Sequence, residues 1–341
     1  MTQIKSREIR LKHRPEGMPQ ETDFDLVEVE LPEIGEGEVL VKNIYMSVDP
    51  YMRGRMHDRK SYIPPFQLGM PLEGGCIGRV IESKNGVFQA GDQVAGMLGW
   101  REYFISTGQG LMKVDPAVAP IQSFLGTIGM PGLTAYAGLL HIGKPKQGDT
   151  VFVSAASGAV GSVASQIAKL KGCYVVGSAG SDEKVSWLLN EAAVDAAFNY
   201  KKVDDVIAEV GKHCPKGIDV YFENVGGVHL EAALEHMNNH GRIVLCGMIS
   251  MYNATEPVPG PPNLTYIIGK QLTMQGFIVT DHFDKMQQFT ADMGKWIAEG
   301  KIKWKETMVD GLENAPKALI GLFRGENFGK MIVRVSPDEG N

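Results

Sequence analysis

The chain has 341 residues, 43% of them hydrophobic and 22% charged, with a formal net charge of −6. That length exceeds one ordinary core, and at roughly 150 residues per domain it sets two domains as the expectation. The composition is that of a globular protein, and the acidic balance without a long basic block argues against a nucleic-acid partner.

The first segment, MTQIKSREIRLKHRP, is charged throughout and has no apolar core, so it does not read as a secretory signal. From about residue 25 to 115 the chain is strand-like: FDLVEVELP, GEVLVKNIYMSV, GGCIGRVIES and GDQVAGML lie between Gly, Asn and Pro. This predicts a small β domain. The uncharged run 116–143 is long enough to cross a membrane, but Pro116, Pro120, Pro131 and several glycines break it as a lipid-facing helix. A second such run, 150–168, fits strand–turn–helix better. No membrane span is expected, and the cytoplasm is the default location.

From residue 149 strands and helices alternate. DTVFVSAA, CYVVGSA, AAFNY, IDVYFENV, RIVLCG and LTMQGFIV read as strands, with SDEKVSWLLNEA, VDDVIAEVGKH and HLEAALEHMNN as helices between them. This is the pattern of parallel βαβ units in a doubly wound α/β sheet. Next come the helix FDKMQQFTADMGKWIAEG, the segment KWKETMV and the helix ENAPKALIGLFRG. The final strand, GKMIVRV, has no helix after it to return it to the parallel sheet, so it is expected to rejoin the first domain.

Cys76, Cys173, Cys214 and Cys246 are too far apart for a CxxC motif and read as buried free thiols in a reducing compartment. His236 and His240 are four apart but lack the HExxH pattern. They read as surface residues at a helix end, where a cation suits the dipole.

The stretch VFVSAASGAVGSVASQIAKLKG carries the chemistry. Its strand ends in Ala156, Gly158 and Gly161, an AxGxxG variant of the dinucleotide fingerprint. A small residue at 156 permits the tight turn, Gly158 lets backbone approach a pyrophosphate, and Gly161 lets helix and strand pack closely. The helix start aims N–H groups at a phosphate. Small residues also serve such turns purely for packing, but here the motif opens a βαβαβ run.

An NAD site usually places an acid at the end of the second strand, to hold the ribose 2′-hydroxyl. Here that strand ends in Gly177, Ser178, Ala179 and Gly180, without a carboxylate. The gap leaves room for a 2′-phosphate, and Lys184 can supply positive charge, which favours NADP(H). The residues alone leave Lys184 a second reading, as a solvated helix residue.

Together, SVDPYMRGRM, MPGLTAYAGL, AASGAVGS, KLKGCYVVGSAGSDEK, FENVGG, CGMISMYN, GFIV and GENFGK resemble the zinc-free branch of the medium-chain dehydrogenase/reductase superfamily. That branch includes leukotriene B4 12-hydroxydehydrogenase/prostaglandin reductase, curcumin reductase and plant double-bond reductases. The likeness covers nearly the whole chain. It implies a Rossmann doubly wound parallel sheet plus a GroES-like β-barrel domain. The expected division is 1–122 for the first part of the GroES-like domain, 123–297 for the Rossmann domain and 298–341 for the return.

The implied activity is NADPH-dependent hydride transfer to Cβ of an α,β-unsaturated ketone or aldehyde, without a metal. The resemblance implies pyrophosphate contacts from Ala159, Val160, Gly161 and Ser162, beside Gly158. It implies 2′-phosphate contacts from Lys184 and Tyr200. Asn224 and Cys246, Gly247, Met248, Ile249, Ser250 and Tyr252 are implied to line the cofactor, and Phe277, Ile278 and Val279 to approach the nicotinamide. Asn327 is implied to contact the cofactor from the β domain.

Where zinc relatives carry Gly-His-Glu, this chain reads PLEGGCIG, and Cys76 alone cannot hold zinc. The developing enolate then needs a hydrogen bond at the carbonyl oxygen. The family points to tyrosines, of which Tyr51, Tyr62 and Tyr266 are available; a neutral phenol donates without a charge to desolvate. Each could instead be packing. Arg53 and Arg55 are open between structural, solvated and substrate-attracting roles. LTMQGFIV could be the open edge of the sheet, and the superfamily implies a homodimer paired there. The rival readings are a quinone oxidoreductase on the same scaffold and a non-enzymatic NADPH-binding protein.

Overall fold

The computed structural model describes residues 4–338. Residues 1–3 and 339–341, the outermost parts of the first and last expected segments, lie outside the described residues. The described chain divides into two compact units. One takes in the chain up to Leu125, Glu306–Asn327 and the stretch from Met331 onward; the other is Gly126–Lys305 with Phe328–Lys330. The junctions therefore fall at 125/126 and 305/306, against the expected 122/123 and 297/298.

The first unit is built on antiparallel strands. Val39–Ser47 is its spine: it pairs with Cys76–Ser83, with Tyr103–Ser106 and with the returning strand Lys330–Arg334. Glu306–Asp310 extends the same seven-stranded sheet at its edge. A separate ribbon pairs Ile4–Leu11 with Phe24–Leu31. The sequence reading missed its first strand because charged residues interrupt the apolar pattern; Glu8 is buried there and paired with Arg10.

The second unit carries a six-stranded parallel sheet. Its order is Ala196–Asn199, Tyr174–Ala179, Thr150–Val153, Ile218–Glu223, Met237–Leu245, Thr273–Gly276. Numbered along the chain this is 3-2-1-4-5-6, the doubly wound order of dinucleotide-binding sheets. Thr150–Val153 is buried along its whole length, as a strand covered on both faces must be. The helix Gly161–Leu170 covers it with Val163, Ala164, Ile167 and Ala168, all fully buried.

One local reading is corrected. The stretch HLEAALEHMNN is helical only to His236; Met237 turns extended and pairs in the sheet opposite Ile218. Burial of Met237 against the core outweighs its helix propensity. The proline-broken run after residue 116 contains a helix, Met130–Ala137, that continues into a wider helical turn, Gly138–Gly143. Pro131 sits in its first turn, where a missing N–H costs nothing. Among the described residues no helix is long and apolar enough to cross a membrane.

Candidate active site

In a parallel sheet all strands end on one edge, and almost every predicted cofactor residue of the second unit follows a strand end there. The loop after Thr150–Val153 turns on Ala155, at φ +47°. The Ala156 N–H donates to the Ser178 carbonyl at 2.9 Å, tying the loop to the neighbouring strand. A Cβ at Gly161 would lie 2.3 Å from the Ala155 carbonyl oxygen, so only glycine lets the helix start this close. Gly177 is constrained in turn, since its Cβ would meet that of Ala156 at 2.8 Å. The helix has no side-chain cap and no acid in its first turn. Ala159, Val160, Gly161 and Ser162 therefore sit at a positive end that the chain itself does not neutralise.

Gly158 has a partner the sequence did not announce. It forms a parallel bridge with Gly329, whose N–H donates to the Ser157 carbonyl at 3.0 Å. Gly329 has φ +66°, and a Cβ there would lie 1.8 Å from the Lys305 carbonyl oxygen. Part of the GENFGK motif thus supports the fingerprint loop. Phe328 packs edge-on against Trp187, with centroids 5.6 Å apart. Asn327, one residue earlier, belongs to the first unit.

At the end of the second strand, a Cβ on Gly180 would meet Lys201 Cε at 3.3 Å and the Tyr200 hydroxyl at 3.4 Å. Lys184 stands on the helix Asp182–Asn190, capped by Ser181. Its ammonium is pulled below the ordinary lysine value, first by burial and then by Lys201. Two ammonium groups and a phenol held together form a site for a multiply charged anion. Lys201 is the residue the sequence reading missed; only its adjacency to Tyr200 could have signalled it. The nearby Asp182 carboxylate accepts from Asn199 and pairs with Lys202.

The fourth and fifth strands deliver Asn224 and the 246–252 loop to one another. Asn224 donates from its N–H to Ser154 Oγ (2.9 Å) and from its amide to the Ser154 carbonyl (2.7 Å). The Ile249 N–H donates to the Asn224 carbonyl, and Ser250 Oγ to the Val225 carbonyl at 2.5 Å. A cavity of about 560 Å³ is lined here by Cys246, Gly247, Met248, Tyr252, Phe277 and Ile278, among others. Val279 opens the helical turn Val279–Lys285 beside it. Phe277 is seated on Gly138, where a Cβ would meet its ring at 2.7 Å. That explains one glycine of MPGLTAYAGL. Cys246 corrects the reading of four buried thiols, since it is only half-buried; burial of the thiol itself still pushes it up to about 12.

Tyr51 and Tyr62 lie in the first unit and Tyr266 in the second. The Tyr51 hydroxyl is buried and has no hydrogen-bond partner in the protein. Burial, then the Asp49 carboxylate, raises its pKa well above that of an ordinary phenol, and Tyr62 is near enough to add to the effect. Tyr62 is 60% exposed. Tyr266 is exposed, with the Lys270 ammonium 4.9 Å from its ring centroid. The arginines resolve as structural. Arg53 is fully buried and donates to the Pro15 and Gly17 carbonyls; Arg55 donates to Pro64 and Glu73 and stacks on Phe66.

The comparisons with known proteins agree with this fold. Residues 7–114 match the family described as the N-terminal domain of oxidoreductase, and 159–297 the family described as zinc-binding dehydrogenase. The NADPH-dependent curcumin reductase of Escherichia coli (strain K12) is 45% identical, over 99% of this chain and 100% of that one. The NADP(+)-dependent 2-alkenal reductase of Nicotiana tabacum is 46% identical, over 98% of both chains. The crystal structure of CurA in complex with NADPH from Vibrio vulnificus superposes with a TM-score of 0.92 at 44% identity, covering 97% of this chain and 99% of that one. A two-unit oxidoreductase with a doubly wound sheet and a fingerprint loop is thus the class. The chain belongs to the medium-chain dehydrogenase/reductase family, in its zinc-free branch.

The zinc in the second family's description finds no donor set. Burial pushes the Cys76 thiol up to about 12, and no three His, Cys, Asp or Glu side chains converge among the described residues. The open helix end, the Lys184/Tyr200/Lys201 cluster and the cavity are the groups that could hold a nucleotide.

Proposed function

We propose that this chain reduces the C=C bond of α,β-unsaturated ketones and aldehydes with NADPH. The observation that carries this reading is the grouping of a phosphate-ready helix end, a cationic cluster and an apolar-walled cavity along one sheet edge. When bound, the reduced nicotinamide supplies hydride. Lys184, Tyr200 and Lys201 hold the 2′-phosphate, residues 158–162 the pyrophosphate, and Phe277 and Ile278 wall the ring's surroundings. Negative charge developing on the acceptor's carbonyl oxygen would be met there by an aimed hydroxyl, which lowers the barrier, and the enolate would take its Cα proton from water. Tyr51 is the donor best suited: its hydroxyl has no partner in the protein and its raised pKa keeps the proton on oxygen. Tyr62 and Tyr266 are assigned a lesser part in binding the acceptor, and Asn327 a contact to the cofactor. The chain acts as a homodimer, joined at the outer edge of Thr273–Gly276, the last strand of its sheet. It resides in the cytoplasm, consistent with four free cysteines.

Initial rates with trans-2-nonenal, 4-phenylbuten-2-one and benzoquinone test the reading. NADPH oxidation with formation of the saturated carbonyl is expected from the first two. Turnover of the quinone alone would make the chain a quinone oxidoreductase, and NADPH binding without any turnover a non-enzymatic binder. Tyr51→Phe should lower kcat by about 100-fold, the scale of one lost oxyanion donor, with NADPH affinity unchanged.

A further inference from the structure

Behind the cofactor wall lies a buried carboxyl that no step above uses. Glu223 ends the fourth strand of the parallel sheet and is fully buried. Its Oε1 alone receives four hydrogen bonds: from Tyr221 Oη at 2.7 Å, Ser154 Oγ at 3.1 Å, Val225 N–H at 2.7 Å and Gly226 N–H at 2.9 Å. Its Oε2 is buried and has no partner. The Glu223 backbone carbonyl accepts from Cys246 N–H at 3.0 Å and Gly247 N–H at 3.1 Å. One residue therefore ties together the loop after the first strand, the 224–227 turn and the start of the 246–252 loop.

We propose that Glu223 is a positioning residue for the nucleotide, a single acceptor that holds Ser154 and the 224–227 turn in their binding shape. Gly226 and Gly227 both have positive φ, at +77° and +55°, so this turn is not one the chain adopts by default. The turn aims the Val225 and Gly226 N–H groups at the Glu223 carboxyl, in a bond that is buried for Gly226 and partly buried for Val225. Ser154 needs its donor direction fixed because its oxygen also accepts the Asn224 N–H. An apolar residue at 223 would take the side-chain acceptor from the Val225 and Gly226 N–H groups and the Tyr221 hydroxyl, leaving Ser154 only its 3.4 Å bond to the Phe222 carbonyl, and a buried orphan costs more than a bond gains. Burial raises the Glu223 pKa, while the Gly226, Tyr221, Val225 and Ser154 donors oppose that rise. What the loop requires is an acceptor oxygen, which a carboxamide also supplies.

This inference rests on NADPH being the cofactor, and its test separates the two. NADPH binding is measured by calorimetry on the intact chain, and amide hydrogen exchange at Val225 and Gly226 is followed in the nucleotide-free protein. Glu223→Leu should raise the NADPH Kd by more than about 30-fold and accelerate exchange at both amides, with the enone KM unmoved. Glu223→Gln, which keeps the acceptor, should restore affinity to within about threefold. If Glu223→Leu does not fold, Ser154→Ala and Tyr221→Phe each remove one donor; Ser154→Ala should weaken NADPH about tenfold, because it also frees Asn224, and Tyr221→Phe less. Equal affinity in wild type, Glu223→Leu and Ser154→Ala would overturn the inference alone. So would a Glu223→Gln protein as weak as Glu223→Leu, since charge would then be the requirement. A wild-type chain that binds no NADPH would overturn the proposed function and, with it, the assigned role.

Discussion

Two neighbouring loops on the same sheet edge reach the same end by different physics. The 155–161 loop is shaped by contact. Gly161 is there because the Ala155 carbonyl leaves no room for a Cβ, and Gly177 because Ala156 leaves none. The 224–227 turn carries two glycines at positive φ and is tied by hydrogen bonding, its Val225 and Gly226 N–H groups donating to one buried carboxyl. A loop held by sterics announces itself as a spaced glycine motif. A loop held by a buried acceptor looks, in the sequence, like a strand that happens to end in Glu.

The comparison can be broken most severely at the first loop. Gly161→Val should cost at least about 3 kcal/mol, the upper range for forcing extra volume into a packed site, and is expected to lower the yield of folded protein. Thermal unfolding reads the loss. A valine variant that melts with the wild type would show that contact does not shape this loop.

A smaller effect belongs to the helix after the second loop. His229 is buried edge-on to Tyr200 at 5.0 Å, and burial lowers its pKa to about 4. Its folded pKa lies below the unfolded value near 6.5, so between those values the unfolded chain binds more protons and stability falls as pH falls. The loss should approach about 3 kcal/mol by pH 4. His229→Leu should flatten that slope, which denaturant titrations at pH 4.5 and 7.5 would reveal. Parallel slopes in the two proteins would place the acid sensitivity elsewhere.

The smallest effect sharpens the contrast by showing what neither loop supplies. Neither carries a cation, so the proposed discrimination between NADPH and NADH rests on Lys184 and Lys201. Lys184→Ala and Lys201→Ala should each raise the NADPH Kd about tenfold, near 1.4 kcal/mol, with NADH affinity held. Equal losses for both nucleotides would mean that the lysines support the fold rather than read the phosphate.

Much of this molecule was legible in its residues. All six strands of the parallel sheet, the fingerprint at Ala156, Gly158 and Gly161, and Lys184 after a strand end without an acid follow from period, glycine sterics and charge, which act between near neighbours. So does the return of the chain from Met331 onward to the first unit, expected from the lack of a crossover helix. The helix Met130–Ala137 was hidden by Pro131, which reads as a breaker until its place in the first turn is known. Tertiary structure alone decided that Gly329 would pair with Gly158, that Lys201 would join Lys184, that Arg53 and Arg55 would serve the fold, and that Glu223 would gather four donors. These are contacts between segments distant in sequence or between side chains whose direction the backbone must first set, and no local rule of spacing encodes them.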